Sequence, residues 1–135
     1  MRRMALIFFF GYVLTLVLAG AWGVVGARVD MHLLLRLHLG DLPHRAQANL
    51  LSQYRFLRAI ELGFGLFALR YWRQIFSVRS YNHVFLAAMA CGVAARLVSL
   101  GADGGPSVWM YAFLGFELVG LASIFGYTRT RVMPG

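Results

Sequence analysis

The sequence predicts an all-α fold, a four-transmembrane-helix bundle, and two observations support this class. The 135 residues are 60% hydrophobic and only 13% charged, whereas soluble domains average about 25% charged residues. Four apolar runs each approach the roughly 20 residues that a helix needs to cross a bilayer. Open strand edges find no hydrogen-bond partners in lipid, so these runs are expected to be helical. We therefore predict a single integral membrane domain over residues 1–135.

The four predicted spans lie at about 4–26, 50–72, 81–100 and 108–127. The first span follows two arginines, as in a signal peptide, but it is longer than a usual signal core, so we predict a retained helix. Tryptophans at span ends are typical of the membrane interface. Such residues here are Trp22, Trp72 and Trp109.

Two connections between the spans are distinctive. The predicted external loop, residues 28–49, contains a stretch at 31–39 that is too apolar for a free loop and too short to cross a membrane. This stretch predicts either a short interfacial helix or a hairpin. The glycine-rich segment 101–106 predicts a tight turn between spans three and four.

All 13 basic residues are arginines, and the formal net charge is +8. The arginines lie at the ends of apolar runs rather than on one polar face, which argues against nucleic-acid binding. With the N-terminus inside, the cytoplasmic ends carry Arg2, Arg3, Arg70, Arg73, Arg79, Arg129 and Arg131, and the outer ends carry Arg28, Arg36, Arg45, Arg55 and Arg58. This excess predicts that both termini are cytoplasmic. The absence of lysine is typical of a GC-rich bacterial genome. We predict a multi-pass protein of the bacterial inner membrane.

Small residues recur every four positions in span three, at Ala87, Cys91, Ala95 and Ser99. Close packing of small residues supports helix association in lipid. We favour contact within the bundle over a dimerisation face as the role of this stripe. Cys91 is the single cysteine, which excludes an internal disulfide.

Ionisable residues lie inside three of the apolar spans, at Glu61, Arg96 and Glu117. A charge at a helix centre costs roughly 2.5–3.5 kcal/mol, so such residues are usually paired or functional. The helical rise places the two glutamates at similar depth and Arg96 within two turns of them. Arg58 shares a helix face with Glu61. We therefore predict a polar cluster of these four residues, balanced by the external Asp103.

Two interpretations of this cluster remain open. It is either an ion-paired network that fixes the helix register, or a polar pocket that binds a ligand or handles protons. His32, His38 and His44 are six residues apart, which is not a metal-binding spacing. The sequence predicts no metal site and no cofactor, and it identifies no catalytic residue.

Three segments carry a family resemblance. They are residues 54–66, Tyr-Arg-Phe-Leu-Arg-Ala-Ile-Glu-Leu-Gly-Phe-Gly-Leu, residues 95–100, Ala-Arg-Leu-Val-Ser-Leu, and residues 103–106, Asp-Gly-Gly-Pro. Together they resemble a bacterial family of small four-helix membrane proteins that carries a domain-of-unknown-function label. Ala95 stands where that family usually has glycine, and Gly105 occupies its free position. The resemblance implies a bundle similar to the DoxX-like proteins and no established activity.

We predict a non-enzymatic function, the binding of a lipid or quinone beside Glu61, Arg96 and Glu117. Arg96 would hold the polar end of the ligand or orient the carboxylates. One alternative is an accessory subunit of a larger membrane complex. Another is an isomerase-like enzyme that uses a glutamate for proton transfer. The predicted partners are the lipid bilayer, a hydrophobic ligand, and a larger complex or a second copy of the chain, with no nucleic acid.

Overall fold

The computed structural model describes residues 2–105 and 107–129. They form α1 (Arg2–Val25), α2 (Ala27–Leu33), a 3-10 helix (Leu39–Asp41), α3 (His44–Arg70), α4 (Trp72–Ser77), α5 (Arg79–Asp103) and α6 (Val108–Thr128). No β-strand occurs among these residues, which confirms the all-α class. The predicted four-helix bundle was wrong, because the described part of the chain contains six α-helices.

Three of the described helices are long and apolar enough to cross a membrane, namely α1, α5 and α6. We predicted four such spans, and the second of them falls on α3. The reason for the difference is charge: α3 carries Arg55, Arg58 and Glu61 within two turns, so its composition is not that of a simple apolar span.

The predicted boundaries shift at two places. Span two was predicted to run to residue 72, but α3 ends at Arg70 and α4 begins at Trp72, with Tyr71 outside helical geometry at ψ 21°. The predicted turn at 101–106 is shorter, because α5 continues to Asp103 and ends where Gly104 adopts a φ of 89°. A positive φ suits glycine, because it has no Cβ to clash with the backbone. Pro106 and Arg131, both used in the predictions above, lie outside the described residues.

The chain divides into two compact units. The middle unit comprises Leu14–Phe67, and the terminal unit comprises Met1–Val13 with Ala68–Gly135. Helix α1 therefore contributes its first half to the terminal unit and its second half to the middle unit.

Aromatic packing forms the core of the terminal unit. The ring of Phe9 is fully buried and lies 5.1 Å from the rings of both Phe76 and Phe85, measured between centroids. Tilted and edge-to-face geometries of this kind are favourable for aromatic pairs. A buried polar contact joins the other helices, because Asn82 donates to the Ile75 carbonyl at 2.9 Å and accepts from the Thr128 hydroxyl at 3.3 Å.

The small-residue stripe of α5 does not face this core. The buried face of α5 consists of Asn82, Phe85, Leu86, Met89 and Val93. The stripe residues Ala87, Cys91, Ala95 and Ser99 are all exposed. Our preference for packing within the bundle was therefore wrong for this face of the helix.

Two glycines bring α1 and α3 close together in the middle unit. A Cβ added at Gly20 would lie 2.7 Å from the backbone nitrogen of Leu62, and one at Gly65 would lie 2.8 Å from the side chain of Val17. Only a residue without a side chain allows backbones to approach this closely. This crossing places the last turns of α1 beside the middle of α3.

Part of the predicted external loop is folded onto α3. Ala27 and Met31 of α2 are buried in one cluster with Leu51 and Tyr54. The predicted stretch 31–39 is α-helical only at its start, because α2 ends at Leu33. Protein covers Ala27 and Met31 of α2, whereas Val29 and Leu33 are exposed. The chain then becomes extended at Leu42, as expected before a proline.

Candidate functional site

The middle unit contains a hydrogen-bonded network centred on the Tyr54 hydroxyl, here called the Tyr54 network (Trp22, Asp30, Tyr54, Arg58 and Glu61). The hydroxyl donates to Asp30 Oδ2 at 2.8 Å. It accepts from Arg58 Nε at 2.9 Å and from Arg58 Nη2 at 2.6 Å. A phenol has one proton and two lone pairs, so its hydrogen-bonding capacity is fully used.

The two carboxylates complete the Tyr54 network at its ends. Asp30 is only 5% exposed, and its second oxygen accepts from Trp22 Nε1 at 2.9 Å. Glu61 Oε2 accepts from Arg58 Nη1 at 2.7 Å. All three nitrogens of Arg58 therefore donate to an oxygen, and its guanidinium carbon lies 4.8 Å from the centre of the Tyr54 ring.

The local sequence explains how these side chains meet. Tyr54, Arg58 and Glu61 occupy positions i, i+4 and i+7 of α3, which lie on one helix face. Gly23 of α1 leaves room for the arginine, because a Cβ added there would lie 2.6 Å from Arg58 Cδ. Asp30 comes from α2, the short helix that follows α1 after the break at Gly26.

The terminal unit contains a second ion pair, between Arg96 of α5 and Glu117 of α6. Arg96 Nε donates to Glu117 Oε2 at 2.8 Å, and Nη2 donates to Oε1 at 3.1 Å. This is the bidentate geometry in which a guanidinium holds a carboxylate most firmly. The Arg96 side chain is 33% exposed and that of Glu117 is 15% exposed.

Arg96 retains free hydrogen-bonding capacity. Its Nη1 atom is 3.6 Å from the sulfur of Met110, which is a weak acceptor. No oxygen among the described residues accepts from Nη1. Arg96 also borders a cavity of about 260 Å³. The lining residues are Ala95, Arg96, Ser99, Leu100, Met110, Tyr111 and Leu114. The cavity is therefore largely apolar, with a cationic donor on one side.

The sequence-predicted site residues fall into both units. Arg58 and Glu61 are paired in the middle unit, and Arg96 and Glu117 are paired in the terminal unit. Asp103 accepts a hydrogen bond from Ser99 at 2.8 Å on an exposed part of α5. A single cluster that joins Glu61 to Arg96 and Glu117 stays a prediction.

Sequence reasoning missed Asp30 and Trp22. One signal was present, because Asp30 is one of only five acidic residues and stands between the apolar Val29 and Met31. Its burial depends on how α2 folds onto α3, which no local pattern reports. Among the described residues, no group of three or more histidine, cysteine, aspartate or glutamate side chains has the arrangement of a metal site.

Apolar helices of membrane-crossing length, together with arginine–glutamate pairs within long helices, define the class: a small helical membrane protein. Within that class, the chain belongs to the family of the domain of unknown function DUF4345, which matches residues 3–127. The match confirms the expected membership of an uncharacterised family. Neither the curated proteins nor the solved structures gave a match to the chain.

Proposed function

We propose that this small polytopic membrane protein binds an amphipathic molecule, such as a lipid or a quinone, in the cavity beside Arg96. The observation that carries the proposal is the unused Nη1 donor of Arg96 at the side of an apolar cavity. A carbonyl, hydroxyl or phosphate oxygen of the ligand would accept from Nη1. Glu117 holds the guanidinium in place and leaves that atom available.

The dimensions favour a partly inserted ligand. Small-molecule sites usually measure about 300–1,000 Å³, and the cavity, at about 260 Å³, is slightly smaller. It is large enough for a head group or a single ring. The apolar chain of the ligand would then leave the cavity along Leu100 and Leu114.

The same proposal includes the membrane topology. We propose that α3 crosses the membrane as a fourth span, and that the protein is DoxX-like and lies in the bacterial inner membrane with both termini cytoplasmic. The Tyr54 network supports this, because it pairs Arg58 and Glu61 within the protein. Charged residues inside membranes are tolerated when they are paired in this way.

Reporter fusions at residue 135 test the topology. Four spans predict that a fluorescent protein fused there is fluorescent in the cytoplasm and that an alkaline phosphatase fused there is inactive. Three spans with the N-terminus inside predict an active phosphatase. An active phosphatase would contradict the proposed fourth span and leave the cavity proposal to its own test.

A cavity-filling substitution tests the ligand. Ala95→Leu places extra atoms in the cavity, whereas Ala87→Leu adds the same bulk two turns away on the same exposed stripe. We expect mass spectrometry of the purified protein to find an amphipathic molecule with the unmodified chain and with Ala87→Leu, and much less of it with Ala95→Leu. Equal retention by both variants would contradict the proposed site.

A second candidate role is association with another membrane helix, as an accessory subunit or a homo-oligomer. The exposed stripe of α5 favours it, since small residues are common where transmembrane helices pack. Cys91 lies in this stripe and is exposed. Oxidation in native membranes is expected to give a disulfide-linked dimer that Cys91→Ser abolishes. A chain that remains monomeric after oxidation would contradict self-association through this face.

A further inference from the structure

A second cavity, of about 370 Å³, lies in the terminal unit where α1 begins and α6 ends. Its lining residues are Arg2, Leu6, Trp72, Arg73, Phe76, Ser77 and Tyr127. The first cavity is lined by residues from the beginning of α6, so the two cavities lie at opposite ends of this helix. The second cavity combines two arginines with an aromatic wall.

Neither arginine of the second cavity has an acidic partner among the described residues. The two acidic side chains of the terminal unit are engaged elsewhere, Asp103 with Ser99 and Glu117 with Arg96. Arg2 and Arg73 are both exposed. The guanidinium carbon of Arg73 lies 5.4 Å from the centre of the Trp72 ring, a cation–π contact that does not consume its N–H donors.

The aromatic wall of this cavity is held by further ring contacts. Phe76 lies 5.9 Å from Tyr127 and 5.1 Å from the fully buried Phe9, between ring centroids. Trp72 lies 5.6 Å from Phe10 in the same way. Because these rings support one another, the cavity is formed before any ligand arrives.

We propose that this second cavity binds the phosphate group of an anionic phospholipid. Arginine matches phosphate oxygens in geometry and charge, and two unpaired arginines supply more donors than one phosphate needs. Leu6, Trp72 and Phe76 give the adjoining glycerol and acyl carbons an apolar surface. The cavity lies at the ends of two helices that are apolar enough to cross a membrane, and basic pockets at this level are typical head-group sites.

The test compares lipid binding to the full chain in detergent by native mass spectrometry, with phosphatidylglycerol and phosphatidylcholine as probes. The unmodified protein is expected to prefer phosphatidylglycerol. The double substitution Arg2→Gln/Arg73→Gln is expected to weaken phosphatidylglycerol binding about 25-fold, since each arginine near an anionic surface contributes about fivefold. The matched control, Arg3→Gln/Arg79→Gln, removes two arginines that do not line the cavity and is expected to change binding less than twofold.

Two further arms make the test decisive. Ser77→Trp obstructs the cavity while keeping both arginines, and it is expected to weaken phosphatidylglycerol binding, whereas the nearby Ser80→Trp is not. Millimolar inorganic phosphate is expected to leave the bound phosphatidylglycerol in place. If phosphate displaced all of the lipid, the cavity would be a site for free phosphate and the lipid assignment would be overturned. Equal losses in the double variant and its control, or full binding by Ser77→Trp, would overturn the site itself.

Discussion

The two ion pairs use the same residue types and differ in what surrounds the arginine. In the Tyr54 network, every nitrogen of Arg58 donates to an oxygen, two of them to Tyr54 and one to Glu61. In the terminal unit, two nitrogens of Arg96 donate to Glu117, and among the described residues the third contacts only the Met110 sulfur. The Tyr54 network is internally satisfied, whereas Arg96 can still bind another acceptor.

This difference separates two roles that a paired arginine can have in this protein. In a network whose donors and acceptors are all paired, removing one side chain leaves the others without a hydrogen-bond partner. Such a change should mainly reduce the free energy of unfolding. An arginine with a free donor beside a cavity should mainly contribute to binding. The contrast is therefore testable by measuring stability and ligand binding on the same set of variants.

The largest effect is expected for Arg58→Gln. This change removes the only cation of the Tyr54 network, so Glu61 loses its charged partner and the Tyr54 hydroxyl loses two donors. Breaking a fully buried pair costs about 3–5 kcal/mol, and the side chains of Arg58 and Glu61 are 17% and 25% exposed, so we expect a cost at the lower end of that range. The free energy of unfolding in detergent, measured by denaturant titration, should fall by about 3 kcal/mol.

Arg55→Gln provides the matched control for this variant. Arg55 lies one turn away on the same helix, is exposed, and donates to the Val24 carbonyl at 3.2 Å. We expect Arg55→Gln to lower the free energy of unfolding by less than about 1 kcal/mol. If both arginine variants were equally stable, the network would not hold the middle unit together.

Tyr54→Phe should have the next largest effect. It removes the hydroxyl that joins Asp30 to Arg58 and keeps the ring and its packing. Leaving buried polar groups without a partner costs about 1–3 kcal/mol. Tyr111→Phe is the comparison in the terminal unit, where the ring is 45% exposed, and its melting temperature should match that of the unmodified chain. If both variants had similar melting temperatures, the Tyr54 hydroxyl would not be the group that stabilises the network.

The sequence predicted the local pairing better than the long-range contacts. Arg58 and Glu61 are three residues apart, so helical geometry alone brings them together. The Arg96–Glu117 contact required only the assumption of two adjacent helices. Asp30 was missed because its contact with Tyr54 depends on how α2 folds back, which has no periodic signal. The break at Tyr71 was missed because neither proline nor glycine marks it.

Glu117→Gln should change binding more than stability. The amide keeps the shape of the carboxylate but removes its charge and one acceptor oxygen, so Arg96 is no longer held by two bonds. Because the glutamine oxygen can still accept one of the two Arg96 bonds, only part of the interaction is lost, and we expect about 1.5 kcal/mol of destabilisation. The amount of amphipathic molecule that co-purifies should fall clearly, as measured by mass spectrometry. A large loss of stability with unchanged ligand content would assign this pair the same structural role as the Tyr54 network.

The smallest effect is expected for Asp103→Asn, which tests the limits of the terminal-unit site. The Asp103 side chain is exposed and accepts only from Ser99, one turn earlier on α5. An asparagine oxygen can accept the same bond, so the free energy of unfolding should change by less than about 0.5 kcal/mol. Ser99 lines the cavity beside Arg96, so a change in ligand content is the more informative measurement. An unchanged amount of co-purified ligand would restrict the site to Arg96 and Glu117. A clear loss of ligand would place Asp103 in the ligand-binding cluster that the sequence predicts.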